Sequence, residues 1–382
     1  YEGQINKSIT FKGMTIDLVN GSIQMQGKGT LNLIARDAIG LYGIKLNMGE
    51  GNLNMMAQNL NVSDSQVSGT GNLYLNTAVT NGSQPIILGS TGGDDYTLYI
   101  KPEYFRSGGL FSNLTGRVYI GLLPDGTYTN APIHLTSSTD INNELYLATQ
   151  KDIQGFDGSS LNTSGNNLYL ISQGGKIDLA KTALYNTPIK VALAQDIVHL
   201  NNTNNTLGSI THVSGPNGVE IYSKGRIYTG REPDSGITAS KGDITITSGG
   251  SSVEFDDYAN LKANKVFIFA QDKDNGAFKN YADNPFRSGT KWGIATYDAL
   301  KDDYGKLTGD FRQYGKTYTS DLEPLMDNKG NGSIHRNQPT VKIVSERVYG
   351  SDSQAWLTQN GTVNPNLQTY ILNDQGEIDT SL

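Results

Sequence analysis

One pattern of apolar and polar positions recurs along the chain: a Gly or Asn, a small polar residue, then apolar–x–apolar. It stands at Gly29-Thr-Leu-Asn-Leu33, Gly51-Asn-Leu-Asn-Met55 and Gly71-Asn-Leu-Tyr-Leu75, and again at Asn143-Glu-Leu-Tyr-Leu147 and Asn166-Asn-Leu-Tyr-Leu170. Gly175-Lys-Ile-Asp-Leu179 and Gly242-Asp-Ile-Thr-Ile246 complete the set. Each copy predicts a short strand with alternating apolar side chains, opened by a turn residue. The first three copies begin 22 and 20 residues apart (51 − 29 and 71 − 51). A strand so short cannot bury its apolar face alone, whereas copies stacked every 20 residues or so bury it jointly. The pattern therefore predicts an all-β chain, a parallel β-helix (solenoid), with Leu31, Leu33, Leu53, Leu73, Leu75, Leu168 and Leu170 supplying core contacts.

The rhythm breaks between residues 93 and 133, where Tyr96, Tyr99, Tyr104, Phe105, Phe111, Tyr119 and Tyr128 crowd together. Ser107-Gly-Gly109 and Pro124-Asp-Gly126 read as hairpin turns within it. We expect an excursion of β-hairpins over or away from one wall, and a smaller one at Gly225–Gly242. Lys265-Val-Phe-Ile-Phe-Ala270 is apolar at consecutive positions and predicts a strand buried on both faces. The best helical candidate, Thr296–Leu307, is short and holds Gly305. Ten charged residues fall in 1–90 against twenty-eight in 251–350, which sets the domain reading. Residues 1–280 form the β-helix body, and 281–382 form a C-terminal capping segment and small β-rich module.

Gly (45 residues), with abundant Asn, Ser and Thr, favours tight turns over long helices. The net charge of −7, with both signs mixed, supplies no basic track for nucleic acid. No apolar run is long enough to cross a bilayer as a helix. Cysteine is absent from all 382 residues, which suits a chain exported unfolded through an oxidising compartment. The start at Tyr1, within a strand-like run, reads as a processed or recombinant fragment.

Candidate chemistry is sparse. Asp94-Asp95, Asp256-Asp257 and Asp302-Asp303 pair acids in sequence, but neighbours in a strand point to opposite faces, so these read as solvated turns. Gly315-Lys-Thr317 lacks the earlier glycine of a phosphate loop, and Asp272-Lys-Asp-Asn-Gly276 lacks the spacing and closing Glu of a calcium loop. His134, His199, His212 and His335 stand far apart, without a zinc pattern. We expect no catalytic residue, no metal and no cofactor. Asn61, Asn113, Asn162 and Asn360 open glycosylation-type triplets common in any Asn- and Thr-rich chain. Tyr104-Phe105-Arg106, two aromatics and a cation beside a glycine turn, has the composition of a ligand-binding centre; alternatively these side chains seal the flank of the solenoid.

The repeated phrases, the missing cysteine and the aromatic excursion together resemble the filamentous-haemagglutinin-like exoproteins of bacterial two-partner secretion. The likeness sharpens in Lys291-Trp292-Gly-Ile-Ala-Thr-Tyr297, Asp302-Asp-Tyr-Gly-Lys-Leu307 and Asp310-Phe-Arg-Gln-Tyr-Gly-Lys-Thr-Tyr318, similar to segments that close the β-helix region in that family. Val341-Lys-Ile-Val-Ser-Glu-Arg-Val-Tyr-Gly350 resembles the opening strand of the small modules that follow. The family's secretion domain, with its Asn-Pro-Asn-Gly turn, has no counterpart, so the resemblance implies a passenger fragment. It implies a right-handed β-helix, export through an outer-membrane partner transporter, a secreted or cell-surface location, and attachment to a host-cell receptor, a glycan or another bacterial cell. Tyr104, Phe105 and Arg106, with Trp292 and Tyr297, are the expected contact residues. Two other readings share the scaffold: a polysaccharide lyase or hydrolase, and a structural stalk or self-associating filament.

Overall fold

A computed structural model describes residues 8–78, 84–89, 97–229, 232 and 235–248, together with strands at 253–255, 260–270, 334–336, 342–350, 371–372 and 378–379. The chain divides into two compact units, one of Tyr1–Pro188 with Leu193–Gln195 and one of Ile189–Ala192 with Asp196–Leu382. The fold is a right-handed parallel β-helix. No α-helix occurs among the described residues.

In the first unit, Thr30–Asn47 is a single long strand that turns two corners and so serves three walls. Its first part pairs in parallel with Asn52–Met56, its middle with Asn59–Ser63 and its end with Gln66–Ser68. On the first wall the pairing continues through Leu73–Asn76, Val118–Ile120, Leu145–Thr149 and Leu168–Ser172. Alternation then decides what is buried. Leu31, Leu53, Leu73, Val118, Leu145 and Leu168 stack in register inside, as do Leu33, Met55, Leu75, Ile120, Leu147 and Leu170, and all twelve are buried. Each such burial contributes roughly 1.5–3 kcal/mol. The seven leucines expected in the core are all there.

The glycines that open the phrases mark a corner where successive turns nearly touch. A Cβ at Gly71 would lie 1.9 Å from the carbonyl oxygen of Gly51, and one at Gly116 would lie 2.0 Å from that of Gly71. Only hydrogen fits. One turn later Asn143 takes over, its amide donating to the carbonyls of Leu114 (2.9 Å) and Gly116 (2.7 Å). The next corner is closed by hydroxyls four residues after the first inward apolar position. Thr149 Oγ1 donates to the carbonyl of Ala131 at 2.5 Å, and Ser172 Oγ to that of Lys151 at 2.6 Å. Turn carbonyls at this corner thus find side-chain partners.

From Leu73 to Val118 the chain spends 45 residues before returning to the first wall, against 27 and 23 for the next two turns (118 − 73, 145 − 118, 168 − 145). This is the excursion, and its architecture differs from the expected pair of hairpins. Leu98–Ile100 pairs in parallel with Ile86–Leu88, which also carries Ile133–Leu135 on its other side, so the insertion contributes a strand to the wall. Ser107-Gly-Gly109 turns within a tight loop, while Pro124-Asp-Gly126 does close a small antiparallel turn with Leu122 opposite Tyr128. A hairpin needs its arms adjacent and antiparallel. Here the wall offered an open parallel edge.

In the second unit, Ile197–Leu200, Gly218–Ser223 and Ile244–Ser248 pair in parallel, with Val198, Val219 and Ile244 stacked and buried. Within the expected excursion at Gly225–Gly242, the described strands belong to the wall. Ile227–Thr229 and Gly236–Ala239 both pair in parallel with Gly208–Ser214, and Ile227 and Ile237 point into the core. Asn260–Ala270 pairs with Ile244–Ser248 and with Lys342–Gly350, again in parallel. The burial expected for Lys265–Ala270, the helix candidate Thr296–Leu307, and most of the C-terminal segment 281–382 lie outside the described residues.

Candidate functional site

The excursion builds a groove. Pro102 at the first position starts a 3-10 turn over Pro102–Tyr104 whose end sends consecutive side chains to different places. Tyr104 goes inward: its phenol donates to the carbonyl of Leu60 at 3.0 Å and its ring packs edge-on to Phe111 at 6.1 Å. Phe105 packs on Phe111 at 5.4 Å, and all three rings are buried. Burial, with the Glu103 carboxylate next in weight, holds the Tyr104 phenol well above its usual pKa, so it remains a donor. The amide of Val67 donates to the carbonyl of Leu110 at 2.7 Å, fastening the far end of the loop to the wall.

Arg106 goes outward and is exposed. Between the loop and the wall lies a groove of about 680 Å³, lined by Asp64, Gln66, Lys101, Glu103 and Arg106. Two acids and two cations balance, and Tyr104, though buried, also contributes to the lining. The structure therefore separates the expected contact residues: Phe105 lies in the foundation, Tyr104 is buried yet lines the groove, and Arg106 is exposed at the rim. Trp292 and Tyr297 lie outside the described residues, as do Asp94-Asp95, Asp256-Asp257, Asp302-Asp303, Asp272–Gly276 and Gly315–Thr317.

A second surface feature runs along the first wall. The outward residue between the two buried columns is tyrosine in four successive strands. Tyr74 stacks on Tyr119 at 4.7 Å, Tyr119 on Tyr146 at 4.5 Å, and Tyr146 on Tyr169 at 3.9 Å. Arg117 lies 6.0 Å from the Tyr146 ring centre and its Nε donates to Glu144 at 3.0 Å. Hydrogen bonding to Tyr119 and the neighbouring Tyr146 hold that guanidinium charged more firmly still. Burial raises the Tyr74, Tyr146 and Tyr169 phenols above their ordinary range. The ladder was readable from the middle member of the Leu-Tyr-Leu phrases. Its second rung, in Gly116-Arg-Val-Tyr-Ile120, escapes because Val and Ile stand where the other three copies have Leu.

Among the described residues no group of three His, Cys, Asp or Glu side chains is placed to hold a metal ion, and no helix is long and apolar enough to cross a membrane. The chain matches no family model, no curated protein and no solved structure at a significant level.

Proposed function

We propose that the chain is a passenger fragment of a filamentous-haemagglutinin-like adhesin: a secreted or cell-surface bacterial protein, without enzymatic activity, that attaches to a host-cell receptor, a glycan or another bacterial cell. Export runs through an outer-membrane partner transporter in this reading. The observation that carries it is the fastened loop. A buried aromatic cluster holds Pro102–Leu114 against the wall, leaving Arg106, Lys101, Glu103 and Asp64 around an open groove. A loop that served only to seal the flank would need no such groove. Pre-organised polar rims of this kind suit attachment, because little ordering remains to be done on binding.

The test is attachment of the purified, labelled chain to epithelial cells, to a bacterial panel and to a glycan array, with Arg106→Ala and Lys101→Ala in combination. At least a tenfold loss of attachment is expected, at an unchanged melting temperature. A parent chain that attaches to nothing would favour the stalk reading; a double variant that attaches as well as the parent would move the site elsewhere.

A further inference from the structure

The outer surface of the second unit holds a notch of a different origin. Two outward columns cross three paired strands there. In one, His199, Glu220 and Thr245 lie side by side in register. In the other, Ile197 lies beside Gly218, and the next place belongs to Asp243, two residues before Thr245 and so on the same face. Gly218 thus stands between two residues that carry side chains.

Nothing local requires glycine at that position. A Cβ added to Gly218 would meet no atom nearer than 3.9 Å, and its φ lies outside the left-handed range. Gly242 nearby is the contrast, since a Cβ there would sit 2.1 Å from the carbonyl oxygen of Asn217. The missing side chain at 218 instead opens a cleft of about 400 Å³, lined by Ile197, His199, Glu220, Lys241 and Asp243. Two of its polar side chains make exposed hydrogen bonds to neighbours. The Asn201 amide donates to the Glu220 carboxylate at 2.5 Å, and the amide of Asn217, another lining residue, donates to Asp196 at 2.8 Å. Such partners favour one arrangement of the lining over others.

The lining selects a ligand class. Carboxylates at 220 and 243 share the lining with an ammonium at 241, so neither a polyanion nor a polycation meets a one-signed field. Ionised groups make hydrogen bonds roughly twice as strong as neutral pairs, and vicinal hydroxyls can both donate to a carboxylate and accept from an ammonium. Ile197 offers an apolar edge to ring C–H groups. The volume lies near the lower end of small-molecule pockets, about 300–1,000 Å³. We propose that this notch binds one or two units of an uncharged glycan.

The site is independent of the excursion groove, and the experiment keeps the two apart. Calorimetry on the full chain would use cellobiose, maltose and N-acetyllactosamine with their tetrasaccharides, and sialyllactose and a heparin disaccharide as charged probes. At least one neutral sugar should bind, Gly218→Val should weaken it tenfold or more, and Arg106→Ala should leave it unchanged. Valine suits an uncrowded strand position, so its melting temperature should not fall. Glu220→Gln, which keeps the shape and removes the charge, should weaken binding about fivefold and serves if the valine variant does not fold. No binding by any neutral probe, a charged probe binding tenfold tighter, or full affinity in both variants would overturn the proposal. So would the appearance of shortened sugars, which would mark a cleavage site instead.

Discussion

The phenol of Tyr169 donates a 2.6 Å hydrogen bond to Oε1 of Glu144, one turn of the solenoid away. The other oxygen of that carboxylate accepts from Arg117, one turn further in the same direction. Glu144 precedes Leu145, whose strand pairs with both Val118–Ile120 and Leu168–Ser172, so a single side chain ties three consecutive turns. The Arg117 side chain is about half exposed, and the ion pair by itself adds little, about 0.2–1 kcal/mol. The ring stack it borders is where pH enters.

Stability should fall in alkali. Burial raises the Tyr74, Tyr146 and Tyr169 phenols, so the unfolded chain loses these protons first, from about pH 10. Their contribution is complete below that pH and is lost as pH climbs toward the folded-state values. Urea midpoints measured between about pH 9 and 11 should decline, and Tyr169→Phe should flatten the decline. An equally steep fall in that variant would place the effect elsewhere.

The corner glycines should be intolerant of a single methyl group. Gly71→Ala and Gly116→Ala force a Cβ onto a backbone carbonyl and should each destabilise by about 2–3 kcal/mol. Gly225→Ala, with open space around it, should change stability by less than about 0.5 kcal/mol. Denaturant unfolding distinguishes these; equal effects at the three sites would refute the close-approach account.

Phe111 should hold the excursion down. Its ring is 2 % exposed and touches both Tyr104 and Phe105. Phe111→Ala should cost about 3–5 kcal/mol of local stability, releasing Pro102–Leu114 to rapid hydrogen exchange and proteolysis while the first wall stays protected. Tyr104→Phe, which leaves only the carbonyl of Leu60 unpaired, should have a milder effect of about 1 kcal/mol.

Thr149 should be irreplaceable by its apolar isostere. Its hydroxyl donates to the carbonyl of Ala131 and accepts from the amide of Lys151 at 3.0 Å, inside the wall. Thr149→Val leaves both groups without a partner and should destabilise by about 1–3 kcal/mol, whereas Thr149→Ser should be close to neutral. The comparison is read from melting temperatures of the two variants.

The alternation of Leu73-Tyr-Leu75 was sufficient to read strand, face and stacking, because side-chain direction in a strand is a local property. Gly71 was legible as a turn residue, but the reason for it is the carbonyl of Gly51, which is 20 residues away and visible only once turns are stacked. The aromatic excursion was legible as a break in period. Its strand direction was not, because Leu98–Ile100 runs parallel to suit the edge of Ile86–Leu88 and not its own turns. Tyr104 and Arg106 looked alike as surface candidates, and one short 3-10 turn sent one in and the other out. Gly218 had no signal at all: an outward glycine means something only beside Ile197 and Asp243, residues that pairing alone brings to it.

Four phenols held face to face at 3.9–4.7 Å also make the first unit an optical instrument. Aromatic transitions that close couple to one another, so the array should produce a near-ultraviolet circular dichroism band that isolated tyrosines lack. Both tryptophans, Trp292 and Trp356, fall outside the described residues and absorb at longer wavelength. Loss of the tyrosine band would therefore report separation of Tyr74, Tyr119, Tyr146 and Tyr169 turn from turn, and the solenoid's own repeat would serve as its strain gauge.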